Sequence, residues 1–416
     1  MHRRTRERTA EERGVGTFTG RWRSTAVITA GALVASLCLV AAPAGAQGKA
    51  KPTGTLSIEA PGVTVLKKGA GSFSKGKANQ KVGVGDTIQT DATGLAEITF
   101  KDGSLTRLDH DTIFTLDKLV NTTGKRQVEG TVSAGQTWNR VQKLSETESF
   151  QQKGNGATAA VIGTAFVTKC SLPTGTAFKI VKTKKQLKRL QKSSKCDFTL
   201  VDGRLTLSSL GKTVGVNRGQ SASVDAAGNA GDATTLPPDI LYNNQWILTN
   251  LQQDAQAGIA EVQGAPTAED LKYARIEGGW TVTLTVTSTT GFRDLTNGSV
   301  RTRTYTFTGG SGGVTLTAQT ANGSQTIPLT YSDGVYSGNA DLGLQNCELD
   351  NGTVSVPDGI RTTQTVSINV TGAVPDAGLW RANALGGTVT ENAEQVAGAA
   401  GQCRTGAATF EITSSR

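Results

Sequence analysis

Short strands joined by tight turns fill the stretch from Val82 to Leu116, and this stretch restricts the fold more than any other part of the sequence. Ala96, Ile98 and Phe100 alternate with polar residues, which is typical of a strand with one buried and one exposed face. The Asp102-Gly103 pair that follows supplies the positive φ that a tight reversal needs. The stretch therefore predicts an all-β fold built from short strands.

Three patterns occur in this stretch in a fixed order and spacing. They are Gly-Asp-x-Ile-x-Thr from Gly85, Gly-x-Ala-x-Ile-x-Phe-x-Asp-Gly-Ser from Gly94, and Leu-Asp-x-x-Thr from Leu108. Together they resemble the FecR family domain, an extracytoplasmic β-domain of bacterial envelope proteins. The resemblance covers 55–225, with further matching segments at 135–141, 159–167, 201–207 and 214–220. It implies successive strands of a twisted, solenoid-like β-structure.

The family is defined by its fold more than by a shared chemistry. In its best-known members this domain relays a signal from an outer-surface transporter to an anti-sigma segment in the cytoplasm. Only a short segment precedes the apolar stretch near the N-terminus of this chain. We therefore expect no anti-sigma domain, and we do not carry the sigma-regulating role over.

Residues 1–46 have the three parts of a secretory signal peptide. Seven arginines form a cationic n-region, 26–40 is an apolar h-region, and Pro43 precedes the small-x-small site Ala44-Gly45-Ala46. We expect the mature chain to begin near Gln47. The alternative is an uncleaved anchor over 25–46, since roughly 20 apolar residues can span a bilayer. Either interpretation places the rest of the chain outside the cytoplasm, secreted or associated with the cell envelope of a bacterium.

Cleavage would remove seven arginines and three glutamates from a chain with 43 cations and 34 anions, so the net charge would fall from +9 to +5. Four cysteines would remain. An even number in an oxidising compartment favours two disulfides over catalytic thiols or a metal site. Because each candidate pair lies within one predicted β-domain, we predict the disulfides Cys170–Cys196 and Cys347–Cys403.

The mature length suits two β-domains and a connector. The predicted segments are a polar lead-in at 47–54, the FecR-like domain at 55–225, a linker with helices at 226–276 and a second all-β domain at 277–416. In the connector, Pro237-Pro238 opens a helix that extends through Leu251 and docks on the FecR-like domain. A capping-box pattern over 267–270 predicts a second, short helix.

The C-terminal domain begins with Trp280, Val282 and Leu284 alternating with threonines, which predicts a strand. Tight turns are predicted at Asn297-Gly298, Asn322-Gly323, Asp333-Gly334, Asn351-Gly352 and Asp358-Gly359. Hairpins at this spacing indicate an antiparallel β-sandwich or barrel. The Gly278-x-Trp280 start is similar to that of lipocalin-like barrels, where it closes one end. That resemblance implies an alternative function, a secreted carrier of a small apolar ligand.

A basic insertion at 171–195 separates two strands of the FecR-like pattern and is bracketed by Cys170 and Cys196. Leu187 and Leu190 predict a short helix whose apolar side contacts the sheet. The basic residues are either a solvated face whose long side chains cover apolar surface, or a site for an anionic polymer or lipid headgroup. They are Lys179, Lys182, Lys184, Lys185, Lys188, Arg189, Lys192 and Lys195.

The sequence contains little that is typical of an enzyme. His110 is the only histidine after residue 2, and it lies in a predicted turn. No Cys-x-x-Cys or second nearby histidine is available for a transition metal. We therefore expect a non-enzymatic binding or interaction module without a cofactor. The expected partner is an envelope protein, or an anionic envelope polymer or lipid headgroup, and not nucleic acid. A carboxylate-dependent glycan-processing enzyme is a less favoured alternative, since it needs two acids in one cleft.

Overall fold

The computed structural model of the chain is all-β, as the sequence predicts, with three short helices between two groups of strands in the described part. It describes residues 52–416, except for 123, 174–177, 179, 184, 188–194, 260–261, 293–294, 311, 321–322, 349–354 and 397–402. The predicted signal peptide or anchor therefore lies outside the described residues. Among those described, no helix is both long and apolar enough to cross a membrane.

Seventeen strands make up the N-terminal group. They are β1 (Gly54–Ala60), β2 (Val63–Leu66), β3 (Ser74–Lys75), β4 (Gln80–Val82), β5 (Thr87–Thr90), β6 (Leu95–Thr99), β7 (Leu105–Leu108), β8 (Ile113–Val120), β9 (Gln127–Arg140), β10 (Ser149–Gly154), β11 (Ala157–Val161), β12 (Ala165–Ser171), β13 (Lys195–Asp202), β14 (Arg204–Ser209), β15 (Lys212–Asn217), β16 (Gln220–Val224) and β17 (Thr234–Thr235).

These strands pair into two sheets that share β9. Sheet 1 has the order β4-β1-β6-β7-β9-β12-β13-β16-β17. Sheet 2 has the order β3-β2-β5-β8-β9-β10-β11-β14-β15. The pairs are antiparallel except for β9 with β10, which is parallel. Leu56 and Ile98 from sheet 1 pack with Val65, Ile88 and Phe114 from sheet 2, so the core lies between the sheets.

Strand β9 passes from sheet 2 to sheet 1 at Gly135. Ala134 pairs with β8 in sheet 2, whereas Gly135 pairs with β12 in sheet 1. Gly135 has a φ of +86°, and a Cβ there would lie 2.4 Å from the Cα of Thr112. Only glycine fits this bend, because the backbone there is left-handed and Thr112 leaves no room for a Cβ. The bend lets one strand join both sheets.

The predicted Asp102-Gly103 turn joins β6 to β7, and a fourth strand, β8, completes the opening stretch. Arg126 lies beside this turn. Its guanidinium donates to Asp102 Oδ2 at 2.8 Å and to Glu148 Oε2 at 2.7 Å. These bonds connect the β6-β7 turn with the segment before β10. The hydrogen bond from Arg126 lowers the pKa of Glu148 to about 2.

The connector contains two helices where the sequence predicts one, followed by the short helix at the predicted capping box. They are α1 (Pro238–Leu241), α2 (Gln245–Gln256) and α3 (Ala268–Lys272). The prediction of one continuous helix was wrong because Asn244 caps a new helix, its side chain accepting from the backbone N–H groups of Trp246 and Ile247. The capping-box prediction is confirmed, since Thr267 and Asp270 exchange the expected bonds at the start of α3.

Eight antiparallel strands form the C-terminal group. They are β18 (Gly278–Thr290), β19 (Val300–Gly310), β20 (Gly313–Thr320), β21 (Gly323–Ser332), β22 (Val335–Glu348), β23 (Ser355–Asp376), β24 (Leu379–Gln395) and β25 (Gly406–Ser415). Each strand pairs with the next, and β25 pairs with β18, so the strands close into a ring. We call this group the C-terminal ring. Of the two predicted architectures, the closed ring agrees with the barrel more than with a sandwich of two open sheets.

One predicted turn in the ring was wrong. Asp358 and Gly359 lie inside β23 rather than between strands. A Cβ on Gly359 would lie 2.5 Å from Cys403 Sγ and 2.8 Å from Cys347 Sγ. Glycine is therefore needed at 359 because the disulfide lies too close for a side chain, and not because the chain reverses there. The predicted turn at Asp333-Gly334 does join β21 to β22, with positive φ at both residues, whereas 351–352 and residue 322 lie outside the described residues.

Both strand groups pack against the connector, and the described residues form one compact unit. Ile247 and Leu251 of α2 pack on Leu105 and Trp138 of sheet 1, together with Leu379 from the ring. Strand β7 consequently has no exposed position. This contact is the docking that the sequence predicts for the connector.

We predict that Glu148 stabilises the fold in a pH-dependent way. Its pKa of about 2 is below the ordinary value of 4.5, so the stabilisation is present above about pH 4.5 and is lost as the pH falls toward 2. The difference in urea midpoint between the wild type and Glu148→Gln should therefore be largest near neutral pH and vanish near pH 2. Glu146→Gln is the control, because Glu146 is exposed in the same loop. A difference that stays constant down to pH 2 would contradict the assignment.

Candidate functional site

The basic insertion leaves the N-terminal group between β12 and β13, and its two ends are directly opposite in sheet 1. Cys170 pairs with Cys196 in the register of the two strands, and the structure joins their sulfurs. Both cysteines are buried. The structure also joins Cys347 to Cys403, so both cysteine pairs predicted from the sequence are at disulfide distance.

Val181 attaches the insertion to the strands at a second point. Val181 is 3% exposed and lies in a small apolar cluster with Ile113 and Ala134. Its backbone N–H donates to Gln89 Oε1 at 2.9 Å. Leu187 packs at the edge of the same cluster, as the sequence predicts, whereas Leu190 lies outside the described residues. The insertion is therefore held at its disulfide and again at Val181.

A single residue organises the backbone after Val181. Gln186 Oε1 accepts from the backbone N–H of Lys182 at 2.9 Å and from that of Thr183 at 3.0 Å. The Thr183 hydroxyl in turn accepts from the N–H of Gln186 at 3.3 Å. These reciprocal bonds have the pattern of a helix N-cap and start the short turn at 185–187.

The described cations of the insertion point to solvent. Lys182, Lys185 and Lys195 are all exposed. The remaining predicted anion-binding residues lie outside the described residues, and they are Lys179, Lys184, Lys188, Arg189 and Lys192. The structure thus describes the part of the insertion that is attached to the strands, together with three of its exposed lysines. We call this part the base of the insertion.

A groove of about 330 Å³ runs beside this base, lined by Asp109, His110, Lys169 and Phe178 among others. His110 is exposed, and its Nδ1 lies 3.1 Å from the Gly94 carbonyl oxygen. Burial raises the pKa of Asp109. Within the described part of the chain, no three His, Cys, Asp or Glu side chains lie close enough to hold a metal ion.

The C-terminal ring is filled at one end by aromatic side chains. Trp280 is buried there, its Nε1 donates to the Ile276 carbonyl at 2.7 Å, and the Arg416 guanidinium lies 3.8 Å from its ring centroid. Phe307 and Tyr336 pack in the same core. Trp280 is therefore enclosed by other side chains, and the lumen around it is filled rather than empty and apolar.

Two sets of residues were missed by the sequence reasoning. The first is a buried ionic cluster between α2 and sheet 1, centred on Asp254. The second is a charged cavity inside the ring, which contains Arg301 and Arg303. A signal for the second was present, because Arg301, Arg303, Tyr305 and Phe307 share one face of β19 by their two-residue spacing. The first had no local signal, since its partners are far apart in sequence.

Comparison with known proteins places part of the chain in a family. Residues 86–184 match the family model described as FecR protein, so the N-terminal group contains a FecR domain, as the sequence patterns predict. No curated protein matches the chain.

Two crystal structures of a "putative anti-sigma factor" from Parabacteroides distasonis ATCC 8503 are similar to part of the chain. The 1.65 Å structure is 14% identical with a TM-score of 0.27, and the match covers 36% of this chain and 59% of that one. The 2.50 Å structure is 12% identical with a TM-score of 0.29, and the match covers 40% and 72%. The chain therefore spans less than two thirds of the first of these structures.

We predict that Val181 holds the insertion against the strands. Val181→Asp would place a charge in an apolar cluster, so trypsin should cut at the insertion several-fold faster than in the wild type. Ile180→Asp is the matched control, because Ile180 is the next residue and is 51% exposed. Equal cleavage rates for the two variants, in protein whose thermal unfolding is unchanged, would show that Val181 is not an anchor.

Proposed function

From the FecR domain at 86–184 we propose that the chain is a non-enzymatic, extracytoplasmic binding protein of the bacterial envelope. In this proposal the FecR domain presents the basic insertion to an anionic polymer of the envelope. The observation that carries the proposal is the double attachment of the insertion, at Cys170–Cys196 and at Val181.

The attachment supports a binding role because it reduces the entropy that the insertion loses when it contacts a partner. A free basic tail would have to be ordered on binding, whereas this segment is already fixed at two points. The eight cations between 179 and 195 have no acidic residue among them. They therefore raise the local electrostatic potential instead of neutralising one another.

The exposed lysines also argue against a purely structural role for this segment. Long basic side chains can cover apolar surface, yet Val181 and Leu187 supply the contact with the strands. Lys182, Lys185 and Lys195 remain exposed. Their ammonium groups are available to phosphate or carboxylate groups of a polymer.

We predict that neutralising the insertion weakens binding to polyphosphate. Each basic residue near an anionic surface contributes about 1 kcal/mol. A variant with Lys184, Lys185, Lys188 and Arg189 changed to Gln should therefore bind roughly tenfold or more weakly at low salt. Retention of the full chain on a polyphosphate column across a salt series measures this effect. Vesicles with and without phosphatidylglycerol then test a lipid headgroup as the other source of negative charge.

The matched control changes Lys75, Lys77, Lys101 and Lys143 to Gln, since these four lysines are exposed on the same strand group and the net charge falls equally. The control should elute with the wild type. If both variants elute at the same lower salt, binding follows net charge and the insertion is not a site. If neither differs from the wild type, the insertion is a solvated face.

A further inference from the structure

A cavity of about 810 Å³ opens inside the C-terminal ring, away from Trp280. Its wall is built from β19, β21, β22 and β23, with one residue each from β18, β20 and β24. Small-molecule sites in proteins have volumes of about 300–1,000 Å³. The cavity is thus large enough for a small organic ligand, and a closed ring of hydrogen-bonded strands gives it a fixed wall.

Strand β19 sets the chemical character of this wall. Phe307 and Tyr305 face the ring interior and are buried, and the same face continues with Arg303 and Arg301. The interior therefore changes from aromatic to cationic along a single strand. In a carrier of an apolar ligand, the apolar lining would continue to the opening of the lumen. These arginines therefore argue against a function as a carrier of an apolar ligand.

The two arginines have different surroundings. Arg301 lies 3.6 Å from Glu391 and 5.4 Å from the Phe410 ring centroid. Gln364 also donates to Glu391, at 3.2 Å. Arg303, in contrast, donates only to the carbonyl of its neighbour Thr302, at 3.2 Å, and among the described residues it has no acidic partner. Asp341 also lines the cavity, but it accepts from Arg361 at 2.9 Å, so among the described residues Arg303 is the lining guanidinium that no acid pairs with.

Two hydroxyl groups also line the wall of the cavity. Tyr305 is 2% exposed and Thr362 is 6% exposed, and both line the cavity. Neither hydroxyl makes a hydrogen bond to any residue that the structure describes. In the cavity, each hydroxyl can donate or accept a hydrogen bond if a partner is present. A ligand with its own hydroxyl groups would supply one.

We propose that this cavity binds a small hydroxylated organic anion, with Arg303 pairing with the anionic group and Tyr305 and Thr362 contacting the ligand's hydroxyls. A guanidinium presents two parallel N–H donors, which match a carboxylate or a phosphate equally well. The anionic group is therefore a carboxylate, as in a sugar acid, or the phosphate of a sugar phosphate. This site is independent of the basic insertion, which lies on the other strand group.

Titration calorimetry of the full chain with glucuronate, glucose 6-phosphate and glucose tests the proposal. At least one of the two anions should bind saturably, and the one that binds identifies the carboxylate or the phosphate as the preferred group. Glucose should bind more weakly than the anion that binds. Arg303→Gln should weaken binding of the anion about tenfold or more, since it removes a charge-assisted hydrogen bond. Arg381→Gln is the control, because Arg381 lies on the same ring but is 53% exposed and does not line the cavity.

Arg303→Gln should fold normally, since the side chain contacts only a neighbouring carbonyl. If it does not fold, Arg303→Lys replaces it, keeps the charge and should still weaken binding by losing the paired donors. The proposal is overturned if neither anion binds, if glucose binds as tightly as the anions, or if the folded Arg303 variant binds like Arg381→Gln.

Discussion

The carboxylate of Asp254 on α2 is fully buried, and three donors of sheet 1 converge on it. Arg107 Nη1 donates to Oδ1 at 2.6 Å, while Arg140 Nε and Trp138 Nε1 donate to Oδ2 at 2.8 and 3.1 Å. Removing a carboxylate and two guanidinium groups from water costs several kcal/mol per ion, so the arrangement persists only if the donors are well placed. The apolar contacts of α2 with sheet 1 exclude water and fix this geometry. The position of the connector on the FecR domain depends on this cluster.

A second buried aspartate holds the connector to the ring. Asp239 in α1 accepts from Tyr336 at 2.8 Å and from the backbone N–H groups of Ile276 and Glu277 at 3.1 and 2.8 Å. Burial raises its pKa. The same short connector thus places one buried aspartate against the FecR domain and another against the ring. The connector therefore contacts both the strand group that carries the basic insertion and the ring that contains the cavity.

Local patterns in the sequence predicted the features that depend on neighbouring residues. Alternation at Ala96 and Ile98 identified β6, and the capping box at Thr267 identified α3. Asp254 was beyond such reasoning, because it lies 147 residues from Arg107 and nothing near it in the sequence marks the pairing. Asp358-Gly359 looked like a turn because the pair has turn chemistry, although the glycine is required by a disulfide that only the folded ring brings close. Residues whose roles depend on distant partners are therefore those that the sequence left unassigned.

The most direct test of this account is the equilibrium unfolding of Asp254→Asn in urea, with the disulfides intact. The variant leaves Arg107 and Arg140 buried without their shared carboxylate, and loss of one partner of a buried ion pair typically costs about 3–5 kcal/mol. Asp232→Asn, whose carboxylate is 89% exposed in its ion pair with Lys212, should change stability by less than about 0.5 kcal/mol. Asp254→Asn should lower the free energy of unfolding by about 3 kcal/mol. A change as small as that of the Asp232 variant would contradict the claim that the buried cluster holds the connector in place.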